Sequence, residues 1–202
     1  FNTAAKPQQV PKLPAQPQED KKTLQITFAE LSVDIALDLF SRGQVLSDSG
    51  QRRTLQFMSL KSPKQIVDED PDSQIFPGAI THNFRNDPDV NVDFTHLSGP
   101  QNNDVGLSMN FIVESFSDQN IDLRINGFLF LLNDADSPAA SQAINARYNF
   151  NPQQTIMIAG LFPRTRIKSA DVDLFSNAPL TIYASDDFLN GLTEFVIFIQ
   201  FK

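Results

Sequence analysis

Residues 105–125 carry the sequence VGLSMNFIVESFSDQNIDLRI, in which two runs of alternating apolar and polar residues flank a short polar stretch. The apolar positions are Leu107, Met109, Phe111 and Val113 in the first run, and Ile121, Leu123 and Ile125 in the second. An alternation of period two indicates strands that bury one face. The polar residues between the runs, 117–120 (SDQN), are typical of a turn. This stretch predicts a mainly β protein.

Other segments of the chain show the same strand pattern. They are Leu24, Ile26 and Phe28, then Leu55, Phe57 and Leu60, then residues 155–161 (TIMIAGL) and residues 192–201 (LTEFVIFIQF). The last two are rich in β-branched and aromatic residues, which strands favour. Loops rich in Pro, Asp, Asn and Gly are predicted between the strands, at residues 68–78, 86–104, 133–138 and 176–191.

Residues 29–41 fit two interpretations. The apolar face changes parity near Ala29 and Glu30, which predicts a bulge or a turn followed by a strand with alternate apolar positions from Leu31 to Leu39. Leu31, Ile35 and Leu39 also share one face of a helix over residues 30–41, so a helix is the alternative.

The first 21 residues differ in composition from the rest. They contain Pro7, Pro11, Pro14 and Pro17 and few bulky apolar residues. Such a segment buries too little surface to offset its ordering entropy. We expect an extended arm or linker at residues 1–21 and one β-rich domain at residues 22–202.

The composition excludes several classes of function. With a net charge of −8 and a pI of about 4.6, the chain lacks the basic surface that binds nucleic-acid phosphates, and it is not attracted to anionic membranes by charge. The absence of cysteine excludes thiol chemistry and thiolate metal sites. No apolar run approaches the ~18 residues of a membrane-spanning helix, so a membrane role would use strands or a surface loop.

No catalytic or metal-binding motif stands out, and an enzyme is not predicted. His82 and His96 lie in separate polar segments, which suits surface or strand-edge histidines better than a zinc site. Residues 87–93 (DPDVNVD) begin like a calcium loop but lack its glycine and its final glutamate, so a solvated acidic loop is expected. Residues 68–72 (DEDPD) are expected to form an exposed turn. Serine-nucleophile elbows and phosphate-binding loops are absent from the sequence, and no cofactor is expected.

One segment is apolar without alternation. It consists of Phe128, Leu129, Phe130, Leu131 and Leu132. Consecutive apolar residues indicate burial on both faces, either in a central core strand or between protein and lipid or a second subunit.

Four features, in the same order along the chain, resemble the C-terminal domain of the bacterial secretins, which form ring-shaped channels in the outer membrane. Residues 60–67 (LKSPKQIV) with Pro77-Gly78 resemble a hairpin of that family, in which a strand follows a serine–x–proline sequence. Residues 105–111 and 118–125 resemble its valine–glycine strand and the strand that follows. Residues 154–161 (QTIMIAGL) resemble its glycine–leucine strand, and residues 173–180 and 194–199 resemble its proline turn and its final strand, which begins with glutamate.

This resemblance implies a structural subunit rather than an enzyme. Each subunit would contribute strands to a β-barrel shared by many identical subunits, with hairpins that form a gate in the lumen. Gly106 and Gly160 would allow strand curvature, while Pro179 and Glu194 would mark the turn and the last strand. Residues 128–132 would face lipid or pack in the wall. The implied partners are identical subunits in a ring, outer-membrane lipid and periplasmic or lipoprotein components, and the implied location is the outer membrane.

A viral shell protein with a jelly-roll β-sandwich is the alternative hypothesis, located in the virion. Short strands, long polar loops, many phenylalanines and an extended N-terminal arm suit that class. A jelly roll requires two facing sheets within one subunit, whereas a secretin subunit has strands that stay unpaired until neighbours arrive.

Overall fold

The structure, a computed structural model, describes residues 22–49, 52–58, 61–84, 89–96, 105–131, 140–164 and 179–202. Its strands are β1 (Thr23–Ser32), β2 (Gln44–Ser49), β3 (Arg52–Phe57), β4 (Gln74–Ile75), β5 (Ile80–Asn83), β6 (Asp89–His96), β7 (Val105–Phe116), β8 (Ile121–Leu131), β9 (Ala140–Phe150), β10 (Thr155–Ala159) and β11 (Thr193–Phe201). Its helices are α1 (Val33–Arg42), α2 (Pro63–Asp68) and α3 (Asp186–Leu189), with a 3₁₀ helix at Leu180–Ala184. The prediction of a mainly β fold is confirmed. The expected arm, residues 1–21, lies outside the described residues.

The strands form two antiparallel sheets. The larger sheet has the order β2-β3-β10-β11-β1, and β1 pairs on its other side with both β4 and β5. The smaller sheet is a meander of consecutive strands, β6-β7-β8-β9. The long-range pairing of β1 with β11 places the two ends of the described chain side by side at the centre of the larger sheet.

The two sheets face each other across one hydrophobic core. That core combines Leu24, Ile26 and Ile197 of the larger sheet with Phe111 and Leu123 of the smaller sheet. Direct contacts join the sheets: Thr54 and Tyr148 share a buried hydrogen bond of 2.9 Å, and the rings of Phe150 and Phe201 lie 5.3 Å apart. The chain therefore folds as a β-sandwich.

Helices cover the opposite face of the larger sheet. Ala36 and Leu39 of α1 and Ile66 of α2 belong to a second buried cluster, which also contains Met157 and Phe198 of the sheet. The larger sheet is thus the middle layer, with the smaller sheet on one face and helices on the other.

This layering explains the change of parity in β1. Strand β1 pairs with β11 without a break from Leu24 to Ser32, so the predicted bulge or turn at Ala29 and Glu30 is wrong. Residues 26–31 are all buried, because one face of β1 meets the smaller sheet and the other meets the helices. A strand covered on both faces loses its alternating pattern.

The strand predicted from Leu31 to Leu39 is also wrong beyond Ser32, and the alternative helix is correct. The Ser32 hydroxyl accepts a hydrogen bond from the Ile35 N–H at 3.4 Å and caps α1. The spacing of Ala36 and Leu39 buries one helical face.

The strand that the secretin resemblance implied after Ser62 is a helix instead. Ser62 and Gln65 form a reciprocal capping box, and Pro63 occupies the first turn, where proline is compatible with a helix. These local signals start α2, and Ile66 and Val67 bury its inner face. Leu60 lies outside the described residues.

Three of the predicted loops contain regular structure. Residues 68–78 include β4, residues 86–104 include β6, and residues 176–191 include the 3₁₀ helix and α3. The acidic loop expected at 87–93 is wrong from Asp89 onward, because that part belongs to β6. Of the exposed turn expected at 68–72, the first residue, Asp68, ends α2, and the others follow that helix. The loop predicted at 133–138 lies outside the described residues.

The order of the strands agrees only in part with the jelly-roll alternative. Two facing sheets within one chain agree with it, but neighbours in the smaller sheet are consecutive along the chain. A jelly roll joins its strands by Greek-key crossings, so the sandwich differs from a jelly roll in its connections.

Candidate assembly surface

Within the part of the chain that the structure describes, the smaller sheet has two open edges. Among the described strands, β6 pairs with β7 alone and β9 pairs with β8 alone. These edges run for 8 and 11 residues. An open strand edge presents unpaired backbone N–H and C=O groups to other chains, so both edges are suited to pairing between subunits.

The outer face of this sheet is polar because its long strands alternate. In β7, Leu107, Met109, Phe111 and Val113 are buried, whereas Ser108 and Glu114 are exposed. In β9 the buried residues Ile144, Tyr148 and Phe150 alternate with the exposed residues Asn145, Arg147 and Asn149. One face therefore packs in the core and the other is hydrated.

Ion pairs link three strands across that polar face. Glu114 of β7 lies 3.2 Å from Arg124 of β8 and 2.7 Å from Arg147 of β9, measured between carboxylate oxygen and guanidinium nitrogen. Beside them, Asp122 accepts hydrogen bonds from Ser115 and Asn149. Those two hydrogen bonds, Ser115 first, lower the pKa of the Asp122 carboxyl. The face combines charges of both signs.

A row of asparagines crosses the whole sheet. The backbone register pairs Asn91 with Asn110, Asn110 with Asn126, and Asn126 with Asn145. The row thus runs from one open edge to the other. If a neighbouring subunit continued the sheet, each end of the row would lie at a junction between subunits.

The apolar segment 128–132 lies at one end of the same sheet. Residues 128–131 continue β8, where they pair with residues 105–108 of β7 and with residues 140–143 of β9. Gly106 pairs with Thr95 on one side and with Phe130 on the other, so this predicted glycine is in the middle of the sheet. Leu132 lies outside the described residues.

Gly160 and Glu194, both singled out from the sequence, are in direct contact. Gly160 follows β10 with φ of 72°, and its N–H donates to Glu194 Oε1 at 3.2 Å. The other carboxylate oxygen of Glu194 binds Arg164 at 2.7 Å, and Arg164 also donates to the backbone oxygens of Phe188 and Thr193. This cluster ties the segment after β10 to the start of β11.

Burial changes the acidity of Glu194. Its side chain is only 16 % exposed, and this desolvation raises the pKa of its carboxyl above the ordinary 4.5. The Arg164 charge and the Gly160 hydrogen bond act in the opposite direction without cancelling it.

A groove of about 600 Å³ lies between α1 and this cluster. Phe40 of α1 lines one wall, and Gly160, Arg164 and Glu194 line the other. Leu37, on the same helix, is exposed at the groove. The groove is lined by both apolar side chains and charged ones, including the Arg164–Glu194 ion pair.

Pro179, the last of the predicted structural residues, is buried and precedes the 3₁₀ helix. Its carbonyl oxygen accepts a hydrogen bond from the Ile182 N–H at 3.1 Å. The residues that follow it, Leu180 and Ile182, belong to the core between the two sheets.

The two histidines lie on different strands. His82 lies in β5 and His96 ends β6. Within the described ranges, no group of three or more His, Asp or Glu residues is placed to hold a metal ion. In the same ranges, no helix is long and apolar enough to cross a membrane.

Sequence reasoning missed a buried carboxylate, Glu30 of β1. It is 3 % exposed and accepts hydrogen bonds from Gln74 at 2.7 Å, from Ser185 at 2.5 Å and from Thr193. All three of these donors are neutral groups, and they come from β4, the cap of α3 and β11. An acidic residue inside an otherwise apolar strand was the signal that could have identified it.

This chain matches no protein-family model, no curated protein sequence and no solved structure.

Proposed function

We propose that this protein is a structural subunit of a ring-shaped, secretin-like channel of the bacterial outer membrane. The observation that carries the proposal is the smaller sheet, which among the described strands has an open edge on each side, an apolar face packed in the core and a hydrated face turned outward.

Ring closure would pair the open edges. In a ring whose subunits share one orientation, β9 of each subunit would run antiparallel to β6 of the next, as neighbouring strands already do within the sheet. Such heterologous contacts close when the rotation between subunits is correct, and a closed barrel has no edges left to aggregate.

The two faces of the sheet suit the wall of an aqueous channel. The Glu114–Arg124–Arg147 ion pairs would face the lumen, and the larger sheet with its helices would form the outer layer.

Electron microscopy of the purified protein in detergent, with mass determination, tests this proposal. We expect rotationally symmetric open rings. Closed icosahedral shells would favour a shell protein, and a monomer indifferent to detergent would contradict both functions.

Engineered disulfides test the edges directly, because the chain has no native cysteine. Asp89→Cys in β6 would be combined in turn with Asn145→Cys, Arg147→Cys or Asn149→Cys in β9. We expect oxidation of at least one pair to give a ladder of covalent multimers. Each single variant, the matched control, can give no more than covalent dimers, and dimers alone from every pair would contradict β6–β9 pairing.

A further inference from the structure

An aromatic cleft lies where the described chain begins. It has a volume of about 340 Å³ and is lined by Phe84, Phe116 and Phe201, with Lys22 and Asp118 among its polar residues. The Phe84 ring lies 5.5 Å from the Phe116 ring and 5.7 Å from the Phe201 ring, measured between centroids. Phe84 is buried and Phe116 and Phe201 are half-buried, so the aromatic wall of the cleft consists mainly of the last two rings.

The cleft is built from both sheets and is firmly supported. Phe84 follows β5, Phe116 ends β7 and Phe201 ends β11, and Phe150 of β9 packs against Phe201 at 5.3 Å. The Lys22 ammonium lies 5.0 Å from the centre of the Phe116 ring, within the range of a cation–π contact. The volume of the cleft is at the lower end of the range for ligand pockets.

The sequence that precedes Lys22 has the period that such a wall recognises. Residues 11–17 (PKLPAQP) place proline at every third position. A polyproline II helix has three residues per turn, so Pro11, Pro14 and Pro17 would line one edge about 9 Å apart. Proline-rich segments of this conformation dock into grooves lined by aromatic side chains.

We infer that the chain's own proline-rich segment, residues 11–17, docks in this cleft. Four residues, 18–21 (QEDK), separate Pro17 from Lys22, and four residues suffice for a reversing turn. So short a tether gives the segment an effective concentration in the millimolar range, which populates contacts that are weak between separate molecules. Charges also match: Lys12 of the segment can approach Asp118, while Glu19 and Asp20 lie next to Lys22 along the chain.

This docking would fix the direction in which the arm leaves the sandwich. Thr23 and Lys202 exchange backbone hydrogen bonds of 2.6 and 2.9 Å, so the base of the arm is already held against β11. The inference does not depend on ring formation, because every contact it uses lies within one chain.

Distance measurement between two spin labels tests the inference on the full chain. The labels are attached to Ala15→Cys in the arm and Gln119→Cys, which is exposed beside Asp118 and does not line the cleft. The doubly labelled chain is diluted into unlabelled protein, so that only distances within one chain are measured. We expect one narrow distance distribution.

Variants of the arm identify the contact without disturbing the folded sheets. Replacing Pro11, Pro14 and Pro17 together by alanine removes the rings and is expected to abolish the narrow distribution. The Pro7→Ala variant is the matched control, because Pro7 lies four residues before Pro11 and is out of the three-residue period; it should keep the narrow distribution.

A broad distribution in the unaltered arm would overturn the inference. So would a narrow distance that appears only when singly labelled Ala15→Cys and Gln119→Cys chains are mixed, since the occupant would then be the arm of a second copy. Persistence of the narrow distribution in the triple proline variant would show that the prolines do not dock.

Discussion

The N–H of Gly160 donates a hydrogen bond to the Glu194 carboxylate at 3.2 Å, across 34 residues of sequence. The bond joins the residue that follows β10 to the second residue of β11. Gly160 turns the chain away from the sheet with a left-handed φ of 72°, and the carboxylate stabilises the amide of that turn. The left-handed backbone of Gly160 and the carboxylate of Glu194 therefore belong to the same turn.

The conformation of Gly160 predicts a specific pattern of stability. Gly160→Ala should lower the free energy of unfolding by roughly 1–2 kcal/mol, because a side chain with a β-carbon is strained at this φ. Gly160→Asn should lower the free energy of unfolding by less, since asparagine tolerates the left-handed region. Urea unfolding measures both changes. Equal stability of the glycine, alanine and asparagine proteins would contradict the assigned backbone conformation.

Glu194 predicts a dependence of stability on pH. Because its pKa is raised in the folded state, the folded protein binds a proton more tightly than the unfolded chain does. The contribution of Glu194 to stability is therefore complete below about pH 4.5 and is lost as the pH rises through the folded pKa. The free energy of unfolding, measured from pH 4 to pH 7, should decline less steeply in Glu194→Gln than in the native protein.

Comparing the pH dependence of the free energy of unfolding in the native protein and in Glu194→Gln separates the contribution of Glu194 from those of the other acidic residues. The pKa values of Asp70 and Asp122 are lowered, chiefly by hydrogen bonds from Ser32 and Ser115 respectively. Stability from those two groups is lost as the pH falls through their folded pKa values, below the ordinary 3.8, which is a separate window. Parallel slopes for the native protein and Glu194→Gln would exclude a raised pKa at Glu194.

Alternation predicted strands with one buried face, whereas β-branched and aromatic content predicted β10 and β11, which are buried on both faces. Residues 107–113 and 121–125 alternate because the core lies on one side and water on the other. β9 has the same signal, with Ile144, Tyr148 and Phe150 buried, but it went unrecognised among the polar residues between them. The change of parity in β1 does not mark a bulge, because both faces of this strand are covered by layers that form only in the tertiary structure.

The candidate site was predictable in part. Gly160 and Glu194 were identified through a resemblance in sequence, but their contact could not be, because it depends on the pairing of β10 with β11. Arg164 was not identified, since nothing local marks it as the partner of a carboxylate 30 residues away. The open edges likewise follow from the order of strands in the sheet, which alternation alone does not specify.

The buried carboxylate of Glu30 predicts a large loss on truncation. Glu30→Ala removes the acceptor for Gln74, Ser185 and Thr193 and should lower the free energy of unfolding by about 3 kcal/mol, because the buried Thr193 hydroxyl and the part-buried Gln74 and Ser185 groups would lose their common acceptor. Glu114→Ala is the matched control, since its ion pairs lie on the hydrated face and should contribute less than about 1 kcal/mol. Similar losses in the two variants, measured by urea unfolding, would contradict the role assigned to Glu30.

The two tyrosines of the chain predict different changes in stability on the loss of a hydroxyl group. Tyr148 shares a buried hydrogen bond with Thr54 across the two sheets, so Tyr148→Phe should lower the free energy of unfolding by about 1–2 kcal/mol. Tyr183 is equally buried, but its hydroxyl has no hydrogen-bond partner among the described residues, and burial raises its pKa. Tyr183→Phe should therefore leave the stability unchanged or raise it.

A double-mutant cycle separates the hydrogen bond between the sheets from the packing around it. Thr54→Val and Tyr148→Phe each leave one buried partner unsatisfied, whereas the double variant leaves none. The double variant should therefore lose less stability than the sum of the single variants in thermal or urea unfolding. Strict additivity would mean that Thr54 and Tyr148 are not coupled, and the packing of β9 against β3 would then have to differ from the sandwich described above.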